Sequence, residues 1–179
     1  MATTTTSVTA DAIVLGEGPV RIDAYIDFMC PYCRAFEEET GPLLDELLDG
    51  GQITLAYHPV AFLDRLSTTG YSTRAASAAR GAADARRFRA YAGALFAGQP
   101  DEGGPGLSDD ELVGLGREAG LDDDFASGVR EGRHRDWAAA VTEAAVDAGV
   151  EGIPTVLVDG TQVDRDPESI RAAITAAAS

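Results

Sequence analysis

Apolar residues at Val20, Ile22, Ala24, Ile26 and Phe28 alternate with Arg21, Asp23, Tyr25 and Asp27, a period of two that predicts a strand. Ala12-Ile13-Val14-Leu15 predicts a shorter strand before it, and Gly16-Glu17-Gly18-Pro19 a turn between the two. After the main strand the pattern turns helical, with Gly41-Pro42 expected to kink or restart the helix because proline removes a backbone donor. Leu43, Leu44, Leu47 and Leu48 give that helix an apolar face, Gly50-Gly51 end it, and Gln52 to Pro59 reads as the next strand. A long helical stretch follows, from about Ser72 to Ala148. In it Phe88, Tyr91, Leu95 and Phe96 form one stripe, and Trp137, Val141, Ala144, Ala145 and Ala148 another. Ser108-Asp109-Asp110-Glu111 has the form of a capping box, while the Gly- and Pro-rich run from Gly98 to Gly106 is a loop. Thr155 to Val158 returns to a strand, Asp159-Gly160 signals a hairpin, and Asp166-Pro167-Glu168 opens a last helix. Strands on either side of a helical block predict one α/β sheet interrupted by an insertion.

At 179 residues with 45% hydrophobic positions the chain suits one domain with an insertion. The net charge of −16 argues against nucleic acid and anionic membrane surfaces as partners. All 14 basic residues are arginines, which codon bias explains better than function. No stretch approaches the ~20 apolar residues of a membrane span. The Thr-rich start lacks a basic leader and an apolar run of signal length, so the chain as it stands is expected to be cytoplasmic. Had an N-terminal anchor been removed, the expectation becomes extracytoplasmic. Residues 1–11 read as a flexible tail.

The chain holds two cysteines, in Cys30-Pro31-Tyr32-Cys33, where the strand hands over to the helix. A Cys-x-x-Cys at such a junction is a redox motif. The helix start brings the sulfurs together and aims backbone N–H groups at the first, favouring its thiolate. Zinc would need further ligands, and only His58 and His134 supply nitrogen, neither at zinc-finger spacing. A purely structural bridge closing so short a loop would add little stability. No cofactor and no metal are expected. His58 reads as a hydrogen-bonded structural residue and His134 as a solvated helix residue.

Joined to Gly152-Ile153-Pro154-Thr155-Val156 at the start of the late strand, the segment Phe28-Met29-Cys30-Pro31-Tyr32-Cys33-Arg34-Ala35-Phe36 resembles the thioredoxin superfamily, and within it the DsbA-like branch. That resemblance implies a thioredoxin fold with an inserted all-helical domain, the thioredoxin-like part at 12–66 and 150–179 and the insertion at 67–149. It implies Cys30 as the exposed nucleophile, Cys33 as the buried resolving cysteine, and Pro154 as a cis-proline packed beside them. The Ile153 backbone would then pair with an extended substrate, and Pro31 and Tyr32 would tune the redox pair. The sequence departs from the pattern where relatives keep a buried acid six residues before the nucleophile, a position held by Ala24. Asp23 and Asp27 flank it, but odd and even positions of a strand face opposite sides, so any proton relay to Cys33 would run through Asp27, water or nothing. Tyr32 stands where some strong oxidants among the relatives carry histidine, and the Pro31-Tyr32 pair is instead what glutaredoxins carry.

The expected function is thiol–disulfide exchange with protein substrates by a monomer, with protein thiols or disulfides, or a low-molecular-weight thiol, as partners. Two alternatives stay open: a small-thiol-dependent reductase or transferase, and a chaperone-like binding module without turnover. Cys30 is expected to titrate at about 5–6.5 and the pair to have a potential of roughly −150 to −230 mV.

Overall fold

The computed structural model describes residues 4–179. Val20–Ile26 forms the central strand β3, and β-branched or apolar residues every second position bury one face of it. Around it lie β1 (Thr6–Val8), β2 (Ile13–Leu15), β4 (Ile53–Pro59), β5 (Thr155–Val158) and β6 (Thr161–Val163). Their order across the sheet is β1-β2-β4-β3-β5-β6. Only β3 and β4 run parallel, with Ala24 opposite Tyr57 and Tyr25 opposite His58. The remaining neighbours pair antiparallel.

The parallel pair is connected by α1 (Pro31–Asp49), which buries Cys33, Phe36, Leu43, Leu44 and Leu47. This helical stripe meets Ile22, Ala24, Ile26, Leu55 and Tyr57 in the main core. The opposite sheet face places Tyr25 against Val141 and Ala145. These two residues belong to α6 (Arg135–Asp147), the last of the helices between β4 and β5. The others are α2 (Tyr71–Asp84), α3 (Phe88–Ala97), α4 (Asp109–Glu118) and α5 (Asp123–Glu131). The final helix, α7 (Pro167–Ala177), is capped by Asp166, whose side chain accepts from the Ser169 N–H.

Three expectations need correction. The tail expected over 1–11 contains β1, where Thr6, Ser7 and Val8 pair with Leu15, Val14 and Ile13. A β-branched, partly covered segment gains a ladder there, and the Trp137 indole N–H donates to the Thr9 carbonyl at 2.8 Å. Residues 1–3 of that expected tail lie outside the described residues. The restart expected at Gly41-Pro42 does not occur, since α1 runs through Pro42. Pro42 sits on the exposed face, so the carbonyl it leaves unpaired faces solvent, while buried leucines hold the helix together. The main strand also stops at Ile26, leaving Asp27 to Met29 as a turn into α1.

Candidate active site

The turn after β3 places the dithiol. The Cys30 N–H donates to the Asp27 carbonyl at 3.0 Å, closing the chain on itself before the helix begins. Cys30 is then the N-cap of α1, with extended backbone, Pro31 in the first turn and no side-chain cap. No oxygen caps the first turn, whose N–H groups lie around the Cys30 sulfur, while the Cys33 and Arg34 N–H groups donate to the Cys30 carbonyl at 3.1 Å. Cys33, one turn on, points into the core and is fully buried. Its sulfur accepts from the Asp27 N–H at 3.4 Å.

This arrangement makes the two sulfurs unequal. A hydrogen bond from Cys33 lowers Cys30 to about 7, helped by the Cys33 and Tyr32 N–H groups and opposed by burial and the Asp27 charge. Burial pushes the Cys33 thiol well above its ordinary value, and the neighbouring Cys30 raises it further. Cys30 is 4% exposed, not the exposed nucleophile expected, and it titrates above the about 5–6.5 expected from a helix start alone because its sulfur is covered and faces a buried acid.

That acid is Asp27. Its Oδ1 accepts from the Met29 N–H at 2.9 Å and the Ser72 hydroxyl at 2.7 Å, and its Oδ2 from the Leu63 N–H at 2.9 Å. Burial outweighs these three donors and raises its carboxyl to about 6. Asp23 turns away on the other sheet face, where it meets His58 Nε2 at 2.8 Å and the Arg21 guanidinium. His58 also bonds the Asp11 carbonyl and stacks on Tyr25 with ring centroids 4.2 Å apart, a structural histidine as expected. His134 is not a free solvated residue: it precedes α6, its N–H donates to the Ser77 hydroxyl, and its Nε2 lies 3.3 Å from Asp84.

The late strand brings in the remaining predicted residues. The Ile153–Pro154 peptide bond is cis. The Ile153 carbonyl lies 3.9 Å from the Cys30 sulfur. A groove of about 440 Å³ runs beside this segment, lined by Tyr25, Val150, Glu151, Pro154, Leu157 and Gln162. Tyr32 projects outward, 63% exposed, and the Arg165 guanidinium lies 5.3 Å from its ring centroid. Pro31 occupies the first helical turn.

Two partners of the site were not legible in the sequence. The Gln99 side-chain amide, on the loop after α3, donates to the Phe28 carbonyl at 2.9 Å and the Cys30 carbonyl at 3.0 Å. Arg165 reaches Tyr32 from the loop between β6 and α7. Both stand in segments rich in turn residues, where nothing in the local pattern marks a long-range contact.

Among the described residues no three His, Cys, Asp or Glu side chains gather as a metal site. No described helix is long and apolar enough to cross a membrane.

The chain matches serine/threonine-protein kinase PknE of Mycobacterium tuberculosis at 30% identity over 131 residues, 68% of this chain and 23% of the kinase. It therefore spans about a quarter of the length of that curated relative. The structure is similar to reduced DsbA from Mycobacterium tuberculosis, with 32% identity and a TM-score of 0.81 over 93% of this chain and 91% of that one. It is likewise similar to the reduced disulfide bond oxidoreductase DsbG of the same organism, with 34% identity and a TM-score of 0.79 over 88% and 77%. A thioredoxin family model matches residues 9–176. With an unequal Cys30–Cys33 pair, a cis-proline segment against it and a helical block between β4 and β5, the chain belongs to the thioredoxin family, in its DsbA-like, thiol–disulfide oxidoreductase branch.

Proposed function

We propose that this protein exchanges disulfides with protein substrates, Cys30 forming the mixed disulfide and Cys33 resolving it. In the oxidising direction a substrate thiolate attacks the Cys30 sulfur of the Cys30–Cys33 disulfide. The bond between the cysteines breaks, and Cys33 leaves with the electron pair and takes up a proton. A second substrate thiolate then attacks the substrate sulfur of the mixed disulfide, releasing Cys30 as thiolate and the substrate as disulfide. The reducing direction is the reverse sequence.

The observation that carries this reading is the inequality of the sulfurs, Cys30 at the N-cap of α1 and Cys33 fully buried one turn further in. The groove beside Pro154 and the Ile153 backbone support docking of an extended substrate segment along the dithiol. Pro31 and Tyr32 shape the turn between the sulfurs.

A small-thiol reading is favoured by one observation, the Arg165 cation over Tyr32, which offers a charge to a carboxylate-bearing thiol. Turnover of a reduced, unfolded protein substrate against turnover with glutathione disulfide separates the two. Faster exchange with the small disulfide alone would favour the second. The outcome also bears on compartment, since protein oxidation suits a setting where disulfides persist and small-thiol chemistry a reducing one. Cys33→Ser should accumulate mixed disulfides with protein substrates, and Cys30→Ser none; the reverse pattern would overturn the assignment.

A further inference from the structure

Gln99 is the one side chain of the inserted helices, among the described residues, that hydrogen-bonds the backbone of the dithiol itself. Its amide takes the Phe28 carbonyl, which lies in the turn between β3 and α1 and has no ladder partner. It also takes the Cys30 carbonyl, which already receives the Cys33 N–H at 3.1 Å and the Arg34 N–H at 3.1 Å. A carbonyl oxygen has two lone pairs. Three donors thus converge on the Cys30 oxygen, more than its lone pairs accommodate, and the Gln99 amide sets its partial positive charge beside the peptide that carries the Cys30 sulfur. From the other side Ser72 of α2 holds Asp27, so residues 27–30 are pinned between two contacts from the helical insertion.

We infer that Gln99 is a positioning residue for the dithiol: by donating to the Phe28 and Cys30 carbonyls it fixes the turn that seats Cys30 at the start of α1 and offsets the negative ends of those peptides beside the sulfur, and so sets how reactive that sulfur is. The inference rests on Cys30 being the attacking thiol, as proposed above. The helical insertion thereby has a chemical link to the redox pair, separate from any part it plays in covering substrate. The ionisable groups facing Cys30 are Cys33 and Asp27, and neither bonds Gln99, so Gln99→Met leaves the Asp27 carboxyl and the neutral Cys33 thiol in place.

The test uses two substitutions that keep the bulk of the side chain. Gln99→Met has the same reach and no donor; Gln99→Glu has the same shape and, ionised, turns an acceptor toward two carbonyls. Iodoacetamide alkylation of Cys30 against pH should show its midpoint rising by about half a unit in Gln99→Met, a roughly threefold fall in thiolate at pH 6. Equilibration with glutathione at pH 8 should shift the dithiol–disulfide constant by about 2.6-fold toward the disulfide, which is about 12 mV at 29.6 mV per tenfold. Gln99→Glu should move both readouts in the same direction and further. Gln99→Asn, which keeps a donor on a shorter stem, should fall between Gln99→Met and the parent. If Gln99→Met and Gln99→Glu match the parent in midpoint and in potential while remaining folded by circular dichroism, the inference is overturned. If Gln99→Met fails to fold, the comparison of Gln99→Asn with Gln99→Glu decides it, and equal midpoints in those two would also overturn it. Neither result touches the assignment of Cys30 as nucleophile, which the trapping experiment tests by itself.

Discussion

Replacing Asp27 by Asn removes a buried charge and leaves most of its hydrogen bonds, so its effect on stability should depend on pH in a calculable way. Burial raises the Asp27 carboxyl from 3.8 to about 6 in the folded protein. The native state thus holds this proton more tightly than the unfolded chain does, and folding takes up a proton between pH 4 and 6. Stability at this group is greatest below the unfolded value and is lost as pH rises through about 6. Two units at about 1.4 kcal/mol each give a charge penalty of about 3 kcal/mol, fully expressed above pH 7. Asn can keep its oxygen on the Met29 N–H and the Ser72 hydroxyl, but its amide group then meets the Leu63 N–H, donor against donor. That loss amounts to about 1–3 kcal/mol and does not vary with pH. Urea unfolding of both reduced proteins from pH 4.5 to 8 should therefore show Asp27→Asn destabilising at the acid end. It should gain on the parent by about 2–3 kcal/mol across the range and be close to it at pH 8. The same substitution should lower the Cys30 midpoint below about 7, since the Asp27 charge opposes the thiolate. Stability curves that run parallel from pH 4.5 to 8 would show that Asp27 is already ionised without penalty, and would refute the reasoning.

The equilibrium potential against glutathione should fall in the reducing half of the sequence-based range, about −190 to −230 mV, because Cys30 at about 7 stabilises the reduced form only modestly; a value near −120 mV would contradict that. Arg89→Ala should destabilise by about 3 kcal/mol in chemical unfolding, since Arg89 ties the insertion to α1 through Glu37 and Asp45 and also meets the Tyr57 hydroxyl, leaving a largely buried Glu37 carboxylate without its cation. Gly116→Ala should cost about 1–3 kcal/mol by thermal or urea unfolding, because a Cβ there would lie 2.2 Å from the Phe125 ring. Arg165→Gln should raise KM for a carboxylate-bearing small disulfide several-fold with little change for a neutral one; an equal change in both would remove the charge argument.

Local signals carried most of the fold. The alternation through β3, the Ser108–Glu111 capping box and the Asp159-Gly160 hairpin, with φ values of 46° and 84°, all lie within a few residues of their cause. The dithiol was legible for the same reason, since the strand, the turn and the helix start that shape it are contiguous. What escaped was non-local. Ser72 reaches Asp27 across 45 residues and Gln99 reaches Cys30 across 69, and a hydroxyl or amide in a helix or loop carries no mark of its distant partner. The continuous α1 through Pro42 escaped for a related reason, because packing of the flanking leucines overrides a local propensity.

The inequality of the two sulfurs follows from position along one helix. Cys30 stands before α1 as its N-cap residue, beside the first-turn N–H groups, whereas Cys33 joins Phe36, Thr40, Leu43, Leu44 and Leu47 on the buried stripe. A mixed disulfide on Cys30 therefore has a good leaving group toward solvent, the Cys30 thiolate at about 7. Attack from inside needs Cys33 to lose its proton against strong burial. Asp27 offers its main-chain N–H, not its carboxylate, to that sulfur, and its carboxylate oxygens are taken by three other donors. Resolution by Cys33 then turns on how far burial still holds its proton once Cys30 is tied up in the mixed disulfide and is no longer a thiolate beside it. A single-turnover experiment should show the Cys33 exit from the mixed disulfide speeding as pH rises above neutrality, and a rate flat in pH would show that Cys33 has no proton to lose before it attacks.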